Sequence, residues 1–365
     1  MMEPMRGRTY VKVAAVCAAG MLTVAGCGTG GGGEGGSGER LSVVTGVYPL
    51  EWLAGQVGGD HVEVANLTEP GAEPHDLELT PRQVGQVADA DLAFYVSGLQ
   101  PAVDDAVPQQ GDGNALDVAD VVELRTAEEN AAEESHDHGG EESHDDEGGH
   151  DHAEEDHAAE ESHDHAEDAH AEDEGAEASH DDEGGHDGHD HGEFDPHMWL
   201  DTDRMAEAAS GLADRLAEID PDHADAYAAN AEEVTTLLDG IHEDYTAGLA
   251  DCRSRDIVVS HTAFGYLAAR YDLHQIPVAG LDSHSEPSPA RMAEVAEVVR
   301  EHDVQTVFTE PLTSPESAET IAEETGADTA VLDPLEGVTD ASPGDDYPSI
   351  MRGNLEALST ALDCG

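Results

Sequence analysis

Lysine is almost missing from this chain. Lys12 is the only one among 14 basic side chains in 365 residues, against 83 acidic side chains and a net charge of −69. A surface so short of cations cannot neutralise a run of phosphates, which excludes nucleic acid as an electrostatic partner. Aromatic residues are 4% of the chain and hydrophobic ones 38%, so a core exists but rests mostly on Ala, Val and Leu. Only four cysteines occur, and no long apolar run follows residue 26, so the body after that point is expected to be soluble. At roughly 100–200 residues per domain, the length allows two lobes plus unstructured chain.

The one apolar run that exists is N-terminal. Arg6, Arg8 and Lys12 precede Val13 to Gly26, a stretch too short for a permanent membrane span and ending in small residues before a cysteine. Val24-Ala25-Gly26-Cys27 resembles a bacterial lipobox, with cleavage before Cys27 and lipid on its sulfur. Residues 1–26 are then a lipoprotein signal peptide. Residues 27–40 are a lipidated cysteine and glycine-rich tether, flexible over roughly 18 Å. This places the chain on the outer face of the cytoplasmic membrane, lipid-anchored, in a periplasm or at the cell surface. Cys17 leaves with the signal, so Cys252 and Cys364 remain as a pair in an oxidising compartment and are expected to form a disulfide.

The rest reads as α/β: two lobes with mostly parallel sheets joined by one long rigid helix. Leu41–Thr45, Val62–Leu67 and Asp91–Val96 read as strands, and Thr80-Pro81-Arg82-Gln83 as a capped helix start. Residues 41–127 with 194–220 form the expected N-terminal lobe and 251–365 the C-terminal lobe. The latter has strands at Ile257–Ser260, Val304–Phe308 and Ala330–Leu332, and helices opening at Ser288-Pro289 and Ser314-Pro315. Between them Tyr227, Ala231, Val234, Leu238, Ile241 and Tyr245 recur at helical spacing, predicting a linking helix over 221–250. Gly240 and Gly248 weaken the end of that pattern.

Residues 128–193 are of another kind. They hold no Lys or Arg, 29 of the acidic residues, and a repeated Ser-His-Asp-Asp-Glu-Gly-Gly-His at 143–150 and 179–186. Thirteen of the 22 histidines lie there: His136, His138, His144, His150, His152, His157, His163, His165, His170, His180, His186, His189 and His191. With so little apolar surface to bury, this stretch is expected to be a disordered loop. Its imidazoles and carboxylates make it an auxiliary collector or sensor of divalent ions.

Three of the other nine histidines have distinctive settings: Glu73-Pro74-His75-Asp76, Asp195-Pro196-His197-Met198-Trp199-Leu200 and Ser260-His261-Thr262-Ala263-Phe264. His261, Glu310 and Asp333 each follow a strand of the second lobe, and ligands of open α/β sheets collect outside the carboxyl ends of strands. His61, His223, His242, His274, His284 and His302 have no such setting.

These motifs, with Leu332-Asp333-Pro334-Leu335, resemble the metal-binding solute-receptor lipoproteins of bacterial ABC importers, of the zinc-uptake (ZnuA/TroA-like) type. The order of elements is similar too: lipobox, first lobe, His-rich loop, second histidine motif, long helix, second lobe. The resemblance implies one Zn²⁺ held by His75, His197, His261 and Asp333, with Glu310 orienting a ligand imidazole. It also implies delivery of the ion to a permease and its ATPase by a monomeric receptor that is not an enzyme. Three imidazoles and a carboxylate suit Zn²⁺. Mn²⁺ or iron fits them less well. A secreted zinc hydrolase, the reading from another class, would use Glu310 as base, but no His-Glu-x-x-His pair occurs.

Overall fold

A computed structural model describes residues 40–110, 113–132, 194–281 and 286–365. The expected signal peptide, Cys27, the tether, the thirteen histidines of the insert and His284 lie outside these residues. Among the described residues no helix is long and apolar enough to cross a membrane.

Two four-stranded sheets organise the fold. The first contains β1 (Leu41–Thr45), β2 (Val62–Asn66), β3 (Leu92–Tyr95) and β4 (Ala115–Asp117). Their order is β2-β1-β3-β4, every pair parallel. The second repeats the pattern with β5 (Asp256–Val259), β6 (His274–Pro277), β7 (Thr306–Thr309) and β8 (Asp328–Val331), ordered β6-β5-β7-β8. Parallel strands need helical crossovers, and those helices cover the faces. α1 (Tyr48–Gly58), α2 (Pro81–Asp89) and α3 (Pro101–Gln110) serve the first sheet. The short α4 (Ala127–Ala132), then α5 (Thr202–Ile219) and α6 (Ala224–Gly248), run between the sheets. α7 (Gly265–Tyr271), α8 (Pro289–Glu301), α9 (Glu316–Thr325) and α10 (Tyr347–Ala361) serve the second.

Local chemistry accounts for the helix starts. Thr80 and Gln83 form a reciprocal capping box ahead of Pro81, and Ser288 accepts the Arg291 N–H ahead of Pro289. The linking helix is shorter than its sequence pattern. Asp220 is not helical and Pro221–His223 form a 3-10 turn, so regular helix starts at Ala224. All six apolar positions of the stripe are buried. α6 packs against α1, α5 and α10. At 1.5 Å per residue its 25 residues span about 37 Å. Gly240 and Gly248 do not interrupt it. Gly248 sits where α10 comes closest, since a Cβ there would meet Leu355 at 3.0 Å.

One buried apolar cluster runs from Val43 and Leu92 through Trp199, Tyr227 and Tyr245 to Ile257 and Tyr347, so both halves share a core. Polar contacts sew the same seam. Trp199 Nε1 donates to the Pro334 carbonyl at 2.7 Å, and Tyr347 Oη donates to the Trp199 carbonyl at 2.6 Å. Tyr347 also stacks on Trp52 with 4.6 Å between ring centres. The expected disulfide is present: Cys252 pairs with Cys364 across 112 residues and fastens the C-terminus beside the start of β5.

Candidate metal centre

Open sheets of this order bind ligands where the strand order reverses, between β1 and β3 and between β5 and β7. His261 follows β5 and Glu310 follows β7, so both stand at the second reversal point. His75 comes from the long loop between β2 and α2. His197 lies just before the 3-10 turn Met198–Leu200 that leads into α5.

These elements bring His75, His197, His261 and Glu336 together, with one donor atom from each lying within 4.8 Å of the others. All four residues are buried. Glu336 Oε1 is 3.2 Å from His75 Nε2, 3.1 Å from His197 Nε2 and 3.3 Å from His261 Nε2. The Nε2 atoms of His75 and His197 are 3.4 Å apart. A tetrahedral Zn²⁺ with bonds of about 2.0–2.1 Å holds its ligand atoms about 3.3 Å from one another. Four of the six donor–donor distances therefore match the edges of a zinc-sized tetrahedron, and the other two lie within 4.8 Å.

Behind two of the imidazoles stand carboxylates. His261 Nδ1 lies 2.6 Å from Glu310 Oε2, and the His261 N–H reaches Glu310 Oε1 at 3.2 Å. His197 repeats this arrangement: Nδ1 is 2.7 Å and the main-chain N–H 2.9 Å from Asp195 Oδ1. A carboxylate on Nδ1 fixes the tautomer that leaves Nε2 as the donor and makes that nitrogen more basic. Burial by itself would lower the pKa of His197, but Asp195 and Glu336 outweigh it and push it up to about 9. His261 is likewise raised, against the effect of burial, by Glu310 and Glu336. Burial opposes ionisation of Glu336, yet the surrounding imidazoles hold its carboxyl well below the usual range.

The structure brings Glu336, and not the expected Asp333, to the three imidazoles. Asp333 follows the last strand as expected, but its side chain does not join the three imidazoles; Glu336 takes that place. Asp333 builds the turn instead. Its Oδ1 accepts the Leu335 N–H at 2.8 Å, and its main-chain N–H and carbonyl are both held by the Asn354 side chain of α10. Leu335 then adopts φ 63°, a left-handed conformation rare for a branched residue, and the chain reverses so that Glu336 faces the cluster. Burial raises the Asp333 carboxyl to about 6. Glu310 stands against the His261 imidazole. Asp195 stands two residues before His197 in the same motif, and no signal in the sequence marks it as the partner of that imidazole.

Among the described residues, the histidines without distinctive settings stay away from this centre. His61 stacks on His223, His242 lies against Tyr271, and His274 and His302 share the Asp256 carboxylate.

Residues 43–361 match a family described as the periplasmic zinc-uptake complex component A, ZnuA. The chain is 32% identical over 352 residues to the high-affinity zinc uptake system protein ZnuA of Bacillus subtilis, covering 95% of this chain and 96% of that one. It is also 32% identical over 337 residues to the zinc-binding protein AdcA of Streptococcus pyogenes, covering 89% of this chain but 56% of AdcA. The chain thus spans little more than half the length of the AdcA relatives it matches. Among solved structures, Zn(II)-bound AdcA of Streptococcus pneumoniae superposes with a TM-score of 0.64 at 26% identity, covering 89% of this chain and 58% of that one. The laminin-binding protein Lmb of Streptococcus agalactiae superposes with a TM-score of 0.65 at 27% identity, covering 88% and 99%.

Proposed function

This chain belongs to the zinc-uptake complex component A family, and on that premise we propose that it captures one Zn²⁺ outside the cytoplasmic membrane and delivers it to an ABC-type importer. His75, His197, His261 and Glu336 hold the ion. The observation that carries this reading is the spacing of their four donor atoms, 3.1–3.4 Å over the four measured edges. Three neutral imidazoles and one carboxylate form the borderline-soft, four-coordinate set that Zn²⁺ prefers.

The same set supports a receptor over a catalyst. All four corners are protein atoms, so no position is left for the water that catalytic zinc activates. Glu310, the group a hydrolase would need as base, is engaged with His261 through both oxygens. The partners are a membrane permease and its ATPase, reached by a monomer anchored through lipid on Cys27. The histidines of residues 128–193 act as an auxiliary collector or sensor of the metal. Release of the ion requires the two halves, or one ligand loop, to shift.

The test is metal content and competition. Purified chain, stripped and reloaded, is expected to hold one tightly bound Zn²⁺ after residues 133–192 are removed. A truncated chain that ignores added zinc would refute the site.

A further inference from the structure

Asn130 lies in α4, far in sequence from every ligand, and its side chain is buried with 2% of the residue exposed. A buried amide needs partners at both ends. Its Oδ1 accepts from Arg125 Nε, and its Nδ2 donates to Asp195 Oδ2 at 2.5 Å. A guanidinium at one end and a carboxylate at the other leave the amide a single satisfactory orientation.

The Asp195 carboxylate divides its work. Oδ1 takes the His197 main-chain N–H and faces its Nδ1, while Oδ2 takes Asn130. Asp195 is wholly buried, so no water stands ready to replace a lost donor. On the other side of the amide is Gly265, the first residue of α7. A Cβ there would come 2.6 Å from Asn130 Cγ and 2.7 Å from its Nδ2, so the amide keeps its seat only against a glycine. Tyr266 continues the junction: its hydroxyl donates to the Asp195 carbonyl and accepts the Arg125 N–H.

We infer that Asn130 is a positioning residue for the bound cation: its amide holds the Asp195 carboxylate, which fixes the His197 imidazole, and its seat on Gly265 ties that ligand to the packing of α4 against α7. The inference rests on the zinc reading above and adds to it a residue that touches no ion.

Removing a partner behind a ligand histidine costs 10–100-fold in metal affinity. Asn130→Ala is therefore expected to weaken Zn²⁺ binding about tenfold by chelator competition, and to change the intensity and position of the visible bands of the Co²⁺-loaded protein. Because Asn130 acts through Asp195, adding Asn130→Ala to Asp195→Asn should cost no further affinity. If the alanine variant does not fold, Asn130→Asp fills the same space without the donor and should show the same loss. A lowered melting temperature with unchanged zinc affinity and cobalt spectrum would overturn the inference, as would affinity losses that multiply in the double variant. A wild-type chain that takes no zinc would remove the functional reading and this inference together. Wild type and variants binding zinc equally well would remove only this one.

Discussion

The Leu335 N–H is held by Asp333 Oδ1 at 2.8 Å, and this short turn decides which carboxylate meets the three histidines. Asp333 and Glu336 have different jobs, and substitutions separate them. Glu336→Gln removes the only anionic corner of the tetrahedron and is expected to weaken zinc binding more than any substitution behind the ligands. Asp333→Asn keeps an oxygen acceptor for Leu335 and should leave affinity close to wild type. Asp333→Ala releases the turn and should cost both affinity and about 1–3 kcal/mol of stability, read from denaturant unfolding of the metal-free protein.

Glu310→Gln and Asp195→Asn each weaken the hold on one imidazole without touching an ion. In the chain lacking residues 133–192, each is expected to lower zinc affinity by roughly 10–100-fold while the stoichiometry stays at one. Isothermal titration against a competing chelator reads both. The two losses should depart from additivity, because both imidazoles meet the same Glu336 oxygen.

The protons on the cluster predict how the metal-free protein responds to pH. The folded pKa of His197 is raised from 6.5 to about 9. Its contribution to stability is complete below about pH 6.5 and is lost as pH rises through about 9. His261 acts in the same direction. Glu336, held low, contributes above about pH 4.3 and loses that contribution as pH falls through its lower folded value. Melting temperatures of the metal-stripped chain should therefore fall between pH 6.5 and 9. The zinc-loaded chain should not share that decline. Zinc must displace those protons, so its apparent affinity should rise with pH over this window. Titrations in buffers of different ionisation enthalpy should show proton release.

The Cys252–Cys364 disulfide stands before β5, at the opposite end of that strand from His261. Cys364→Ser is expected to lower stability by about 2–5 kcal/mol in denaturant unfolding and to leave the number and affinity of bound zinc ions unchanged. A loss of zinc affinity would mean that the C-terminal fastening and the site are coupled.

Much of this centre was legible in the sequence because its parts sit in short motifs. His75, His197 and His261 stood out by their neighbours, and Glu310 by its place after a strand. Glu336 did not, because its approach depends on a left-handed Leu335, and nothing in a leucine announces that conformation. Asn130 lies near the start of the insert and Asp195 just past its end, and no local pattern links them. Thr126 nevertheless pairs with Phe194 in an antiparallel bridge, so the two ends of the insert meet at its base. The six-residue apolar stripe of α6 was plain, whereas β4 has only three residues and β6 (His-Gln-Ile-Pro) has little strand propensity of its own. Both are set by parallel pairing with a neighbouring strand, a tertiary effect that overrides local preference.

The most direct test is anomalous diffraction at the zinc edge from crystals of the zinc-loaded chain. We expect one strong peak about 2.0–2.1 Å from Nε2 of His75, His197 and His261 and from a carboxylate oxygen of Glu336. A peak bound by Asp333 in place of Glu336, or density for zinc only elsewhere in the molecule, would contradict the assignment.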